Sequence, residues 1–434
     1  MSARKQRVNR RLVLSFVLVA LALMQIDLIT CSLTAASGFE HTARSSRELR
    51  PNKQETDFAL RDGDRVVFFG DSITEQRLYT TYVEHYVLTR YPNRRVTFIN
   101  TGWGGDKVAG NECKPCAGVG GLARIKRDVI DHKPTVVTLL FGMNDGRYRD
   151  FDEATLKAYE DGLTSIIREL KNKTNARIYV MTPTVYDGTR HTPWSQTDRY
   201  NDVLDRYSES AKQLAARENL PVIDLHAITT EALSRAKKQD PSYTFLNDGV
   251  HPESDGQLVM AAEIIRAWGA HDRGEEITRQ ASIETDKSAS LTVSAPLPWP
   301  SPMPSEKLRS ARPEIMEMGR VDLRITGLAS GRYDVTVDGA DAGEYTDESL
   351  ASGIPLGALS KKAAEESRDV AALVRRRADL FFMRWRQIEL PFRAEYKTTT
   401  NAVTGLDLLI GEMADRARAL AAPHKYQVVI RAGR

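Results

Sequence analysis

The stretch Asn247-Asp248-Gly249-Val250-His251-Pro252 puts a carboxylate and an imidazole on either side of a glycine. A tight loop with that spacing can aim both side chains at one point. A carboxylate so placed fixes the tautomer of the ring and stabilises its protonated form, while the ring takes a proton from a hydroxyl. The hydroxyl best suited to that role is Ser72, in Phe68-Phe69-Gly70-Asp71-Ser72-Ile73-Thr74, where an apolar run turns into a helix start. Two other stretches can supply donors to an oxyanion. Asn100-Thr101-Gly102-Trp103-Gly104-Gly105-Asp106 offers glycine N–H groups that can approach a substrate closely, and Phe141-Gly142-Met143-Asn144-Asp145 offers a side-chain amide. Together these are the parts of an acyl-transfer site. Each also has a plainer reading: Ser72 or Asn144 as a helix cap, the glycines as an ordinary turn, and Asp248 and His251 as a cap and a surface histidine.

A sheet must hold these parts together. From Asp62 to about Ala270, short β-rich runs alternate with amphipathic helical stretches. The runs are Arg65–Phe69, Arg95–Asn100, Thr135–Phe141, Arg177–Thr182 and Val222–Leu225. They are mostly unalternated, as expected for strands buried on both faces. Leu156, Tyr159, Leu163, Ile166, Ile167 and Leu170 form one helical stripe behind a candidate N-cap, Asp152. Tyr200, Val203, Leu204, Tyr207, Ala211 and Leu214 form another. The pattern predicts an α/β fold with a doubly wound, five-stranded parallel sheet, whose ligands gather at the carboxyl ends of the strands. The serine, glycine and asparagine stretches all fall at such ends.

The catalytic region is expected to span residues 55–272. Residues 273–320 are polar and interrupted by Pro296, Pro298, Pro300, Pro302 and Pro304, which reads as a linker or wrapping segment. Residues 321–434 are expected to form a smaller α+β region. Within it, Val321–Ile325 and Tyr333–Val337 alternate around Gly327 and Gly331, a hairpin signal. Two helices, about 360–386 and 405–421, and a strand at Tyr426–Ile430 follow. Nothing in this region carries a chemical signature.

The net charge of +3 is concentrated at the start. Arg4, Lys5, Arg7, Arg10 and Arg11 against Asp27 give residues 1–36 a net +4 and leave the remainder at −1, so no nucleic acid or other polyanion is implied as a partner. The basic start, the apolar run from Leu12 to Met24 and the small residues Ala35 and Ala36 predict a signal peptide over residues 1–36 and an exported protein, periplasmic or secreted. A retained anchor, or a lipoprotein signal ending at Cys31, is the alternative. No second apolar segment is long enough to span a bilayer. In an exported chain Cys113 and Cys116 are expected to form a small disulfide, with free thiols as the alternative.

Four blocks, Gly70-Asp71-Ser72-Ile73, Asn100-x-Gly102-x-x-Gly105, Gly142-x-Asn144-Asp145 and Asp248-x-x-His251, occur in order. In them, residues of about 60–270 resemble the GDSL/SGNH hydrolase superfamily. The resemblance implies a three-layer α/β/α fold and Ser72 as nucleophile, with His251 and Asp248 completing a triad. It also implies an oxyanion hole formed by the N–H groups of Ser72 and Gly105 and the Asn144 amide. Gly105 is chosen over Gly104 because it precedes Asp106. No cofactor and no metal are implied. Within the superfamily the chain is similar to exported bacterial acetylesterases of the rhamnogalacturonan type, which makes Trp103, Tyr186 and Trp194 candidate sugar contacts. The expected activity is ester hydrolysis through an acyl-serine, with an O-acetylated carbohydrate or small molecule as substrate. A lysophospholipase, thioesterase or arylesterase would use the same machinery, although no apolar lid segment is evident. A carbohydrate-binding envelope protein with an idle hydrolase domain is the non-enzymatic alternative. The sequence does not indicate an oligomeric state.

Overall fold

A computed structural model of the chain describes residues 58–110, 119–190, 192–193, 195–271, 274–283, 288–392 and 398–433. The leader, Cys113, Cys116 and Trp194 lie outside the described residues. The first region runs β1 (Arg65–Gly70), α1 (Ser72–Glu75), α2 (Leu78–Arg90), β2 (Thr97–Asn100), α3 (Gly121–Asp128), β3 (Val136–Leu140), α4 (Glu153–Lys173), β4 (Arg177–Met181), α5 (Tyr200–Arg217), β5 (Val222–Ile223), α6 (Leu225–Gln239) and α7 (Ser254–Ala267). The five strands form one parallel sheet in the order β2-β1-β3-β4-β5. Every residue of β3 is buried, which is why its sequence shows no alternation. Asp152 caps α4 by accepting from the Thr155 N–H. The chain leaves β1 toward β2 on one side and later places β3 on the other. The carboxyl end of β1 therefore opens onto the switch point of the sheet, where such folds bind ligands.

The second region contains β6 (Glu275–Gln280), β7 (Ser288–Ala295), α8 (Glu306–Ala311), α9 (Pro313–Met318), β8 (Val321–Thr326), β9 (Arg332–Val337), β10 (Ala340–Thr346), α10 (Asp347–Ser352), β11 (Ile354–Pro355), α11 (Lys361–Phe382), a π-helical stretch (Met383–Glu389), α12 (Thr398–Leu420) and β12 (His424–Ala432). Two expectations need correction here. Residues 273–320 are not a linker, because β6 and β7 lie within them and enter two different sheets. Only the proline-bearing part wraps, and it does so by burying Trp299 against Tyr86, with the Trp299 Nε1–H donating to the Tyr82 carbonyl. The strands β8 and β9 do not form a hairpin. β8 runs parallel to β6, while β9 pairs with β10 and β12. Alternation specifies that a strand has one buried face, not which strand lies beside it. Val321, Leu323 and Ile325 from one sheet share a single core with Val335, Val337, Val428 and Ile430 from the other. The hairpin that does form joins β9 to β10 through Asp338 and Gly339, both with positive φ, the conformation an Asp-Gly type I′ turn requires.

The second region is packed against the first along α11. The Arg377 guanidinium pairs with Glu84 of α2 and donates to the Phe98 carbonyl, which covers the edge strand β2. Leu88 of α2 belongs to the second core, while Phe381 and Trp385 belong to the first.

Candidate active site

Gly70 ends β1 where space is already taken: a Cβ there would lie 2.3 Å from Thr74 Oγ1 and 2.6 Å from the Leu140 carbonyl oxygen. The next residue, Asp71, caps α1 by accepting from the Ile73 N–H at 2.9 Å. Its burial pushes the carboxyl up to about 8. Ser72 is therefore not the cap. It is the first residue of the helix, so its N–H has no intrahelical acceptor.

His251 Nε2 lies 2.8 Å from Ser72 Oγ, and His251 Nδ1 lies 2.6 Å from Asp248 Oδ2. The second carboxylate oxygen of Asp248 accepts from the N–H groups of Val250 (2.9 Å) and His251 (2.8 Å). Burial raises the Asp248 carboxyl, but the hydrogen bonds from the His251 N–H, the His251 ring and the Val250 N–H outweigh it and hold it below the usual carboxylate range. An ionised carboxylate only accepts, so Nδ1 carries the ring proton and Nε2 is left to accept from the serine hydroxyl. The loop is clamped from outside: Thr192 Oγ1 donates to the Asp248 carbonyl at 2.7 Å, and the Asp187 N–H donates to the Gly249 carbonyl at 2.8 Å.

On the opposite side of Ser72, Asn100 fastens the second block to α1. Its amide donates to the Thr74 carbonyl at 2.7 Å, and its oxygen accepts from the Gly102 N–H at 3.0 Å. Gly102 must lack a side chain, since a Cβ would come within 2.2 Å of the Glu75 nitrogen. The Asp106 N–H donates to the Trp103 carbonyl, closing a turn around Gly104 and Gly105, with Gly105 at φ 68. That turn bond does not use the Gly105 N–H. Asn144 donates through Nδ2 to the Asp106 carbonyl at 3.1 Å and accepts from the Tyr148 hydroxyl at 3.0 Å, which fixes its orientation and, among the described residues, leaves its second amide hydrogen to spare.

Residues 68–259 match the model of the GDSL-like Lipase/Acylhydrolase family. This region is a GDSL-like lipase/acylhydrolase domain, and the protein is a carboxylic ester hydrolase. An acetylxylan esterase from Geobacillus stearothermophilus is 27% identical over 229 residues, which cover 48% of this chain and 94% of the relative. A solved structure of a gut microbial diltiazem-metabolizing enzyme is 22% identical, covers 86% of this chain and 98% of its own, and has a TM-score of 0.71. That coverage extends the shared fold into the second region, which the alignment to the acetylxylan esterase does not reach.

Polar contacts that the sequence did not reveal hold the site's loops together. Arg124 of α3 is fully buried and donates to Asp106 Oδ2 (2.6 Å), the Thr101 carbonyl (2.6 Å) and the Gly70 carbonyl (2.8 Å). It ties the ends of β1 and β2 to the glycine turn. Asp145 joins the second block to the third by accepting from the N–H groups of Val108 and Gly142, and burial pushes its carboxyl up to about 7. Arg124→Ala takes the guanidinium away from the buried Asp106 carboxylate, whereas Asp128 keeps Arg127, and is expected to destabilise the protein by about 3–5 kcal/mol in urea unfolding. A loss below about 1 kcal/mol would mean that water replaces the guanidinium.

Two of the three candidate sugar contacts are described. Tyr186 is only 2% exposed, stands edge-on to Tyr200, and lies against the position a Cβ on Gly249 would take. It supports the Asp248 loop from behind and cannot act as a sugar platform. Trp103 is half-buried beside the glycine turn, with the Arg386 guanidinium 3.4 Å from its ring centre.

Proposed function

We propose that this esterase removes O-acetyl groups from carbohydrate, with Ser72 as nucleophile, His251 as general base and then acid, and Asp248 as the group that orients it. The observation that carries this reading is the unbroken chain Asp248–His251–Ser72, with contacts of 2.6 and 2.8 Å. Ser72 Oγ attacks the acetyl carbonyl as its proton passes to His251 Nε2, giving a tetrahedral oxyanion. The N–H groups of Ser72 and Gly105 and the Asn144 amide receive that charge. Collapse breaks the bond to the sugar oxygen, which leaves with the proton from His251. Water then attacks the acetyl-serine, again giving up a proton to Nε2, and acetate departs as Ser72 recovers its hydrogen.

A carbohydrate substrate is supported by the likeness to an acetylxylan esterase. The test is hydrolysis of p-nitrophenyl acetate, butyrate and laurate beside acetate release from acetylated xylan and other acetylated glycans. The expected result is acetate release from a glycan and a rate that falls steeply with acyl length. Faster laurate hydrolysis with no glycan deacetylation would favour a lipid or thioester substrate.

Asn144→Ala is expected to lower kcat by roughly 10²–10³ with little change in KM, since the donor acts mainly in the transition state. A raised KM with kcat maintained would make Asn144 a substrate contact. Export is inferred from the basic and apolar leader, and N-terminal sequencing of the protein from its native host should find a start near residue 37.

A further inference from the structure

The π-helical stretch Met383–Glu389 brings two residues of the second region to the glycine turn. A π-helix shifts the side chains of a helix out of their regular phase. Here Trp385 is buried edge-on to Trp103, at 5.9 Å between ring centres, and its Nε1–H donates to Asp128 Oδ1 at 3.2 Å. The neighbouring Arg386 lies flat on Trp103 and has its Nε 3.9 Å from Glu75 Oε1. That Nε is buried and has no hydrogen-bond partner among the described residues.

Glu75 and Trp103 belong to the two halves of the oxyanion site. Glu75 ends the one-turn helix that Ser72 begins. Trp103 opens the turn that holds Gly105. The halves also meet directly, because a Cβ on Gly104 would come within 2.7 Å of Glu75 Oε2; burial raises the Glu75 carboxyl, and the Arg386 charge and the Gly104 N–H offset only part of that rise. The same face of the second region grips the residues just after Glu75. Asp379 pairs with Arg77 at 3.0 Å, Phe382 lies under the Arg77 guanidinium, and Arg375 donates to the Gln76 carbonyl at 3.1 Å. A turn with two adjacent glycines has wide conformational freedom of its own, and an oxyanion donor works only when held close to its productive position.

We propose that Arg386 is a positioning residue for ester hydrolysis. It braces the Trp103–Asp106 turn against the helix that carries Ser72, so the second region completes the catalytic unit. This inference rests on the esterase reading above. Arg386 reaches the chemistry through Glu75 and Trp103 and need not touch the substrate.

The test compares full-length wild type, Arg386→Ala, Arg386→Lys, Trp103→Ala and the double variant Trp103→Ala/Arg386→Ala on p-nitrophenyl acetate, with melting temperatures beside the rates. For Arg386→Ala, a kcat about tenfold lower or more is expected, with KM within about twofold and the fold retained. Arg386→Lys keeps a charge for Glu75 but loses the planar stack on Trp103, so it should recover only part of the rate. The double variant should be little slower than Trp103→Ala alone, because the two residues act through one contact. If Arg386→Ala proves unstable, Glu75→Gln probes the other end of the brace and should show the same fall in kcat. Unchanged kcat in Arg386→Ala and Glu75→Gln, a raised KM with kcat held, or fully additive losses in the double variant would overturn the proposal. An inactive wild type would instead remove the esterase reading on which it stands.

Discussion

Ser72→Ala is expected to reduce ester hydrolysis by roughly 10⁴-fold or more while leaving the melting temperature nearly unchanged. The two halves of this result have separate causes. In the proposed mechanism the hydroxyl is the attacking group, and no described neighbour can replace it at 2.8 Å from His251 Nε2. Its structural role is small because Asp71, not Ser72, caps α1. At the first helical position alanine is, if anything, the better helix former. Steady-state rates with p-nitrophenyl acetate and a thermal melt of the same sample check both halves. More than a few per cent of wild-type activity would take the nucleophile's role from Ser72, and a large fall in melting temperature would show that its hydroxyl holds the turn together.

His251→Ala should be about as damaging as Ser72→Ala, and the double variant should be no worse than either single one, because the pair acts as one unit. Asp248→Asn should be milder, by roughly 10²-fold relative to the loss in His251→Ala. An asparagine oxygen can still accept from the Val250 and His251 N–H groups that shape the loop. Its amide cannot accept from His251 Nδ1, so the ring loses the partner that sets its tautomer and steadies its positive charge. The side chains of His251 and Asp248 are 28% and 41% exposed, so water can stand in for part of that support. A double variant far slower than both single ones would show that serine and histidine act independently. Wild-type activity in Asp248→Asn would reduce the catalytic set to Ser72 and His251.

The sheet and the four blocks were legible because their information is local. Buried parallel strands announce themselves as unbroken apolar runs, and the glycines that follow them mark where backbone must pass close to backbone, as at Gly70 and Gly102. The polar framework beneath the site was not legible. Arg124 reads as one more charge on an amphipathic helix, and its acceptors Gly70 and Thr101 lie 54 and 23 residues away. Arg386 is more remote still, and nothing near it in sequence points to Trp103. Tyr186 misled for the opposite reason: an aromatic residue after a strand looks the same whether it faces a substrate or supports a loop. In the second region the alternating faces of β8 and β9 were visible, but their membership of different sheets depends on β6 and β12, far off along the chain. The Asp338-Gly339 turn was a stronger hairpin signal than the Gly327 and Gly331 pair, since it gives both positive-φ positions in two residues.

Covalent capture of the nucleophile is the most direct measurement. The protein is incubated with a serine-directed organophosphonate, residual activity is followed over time, and the modified peptide is identified by mass spectrometry. One phosphonyl group on the peptide containing Ser72 is expected, appearing in step with the loss of activity, absent from Ser72→Ala and strongly slowed in His251→Ala. Inactivation with the label on a different serine, or full activity retained while Ser72 is modified, would contradict the assignment.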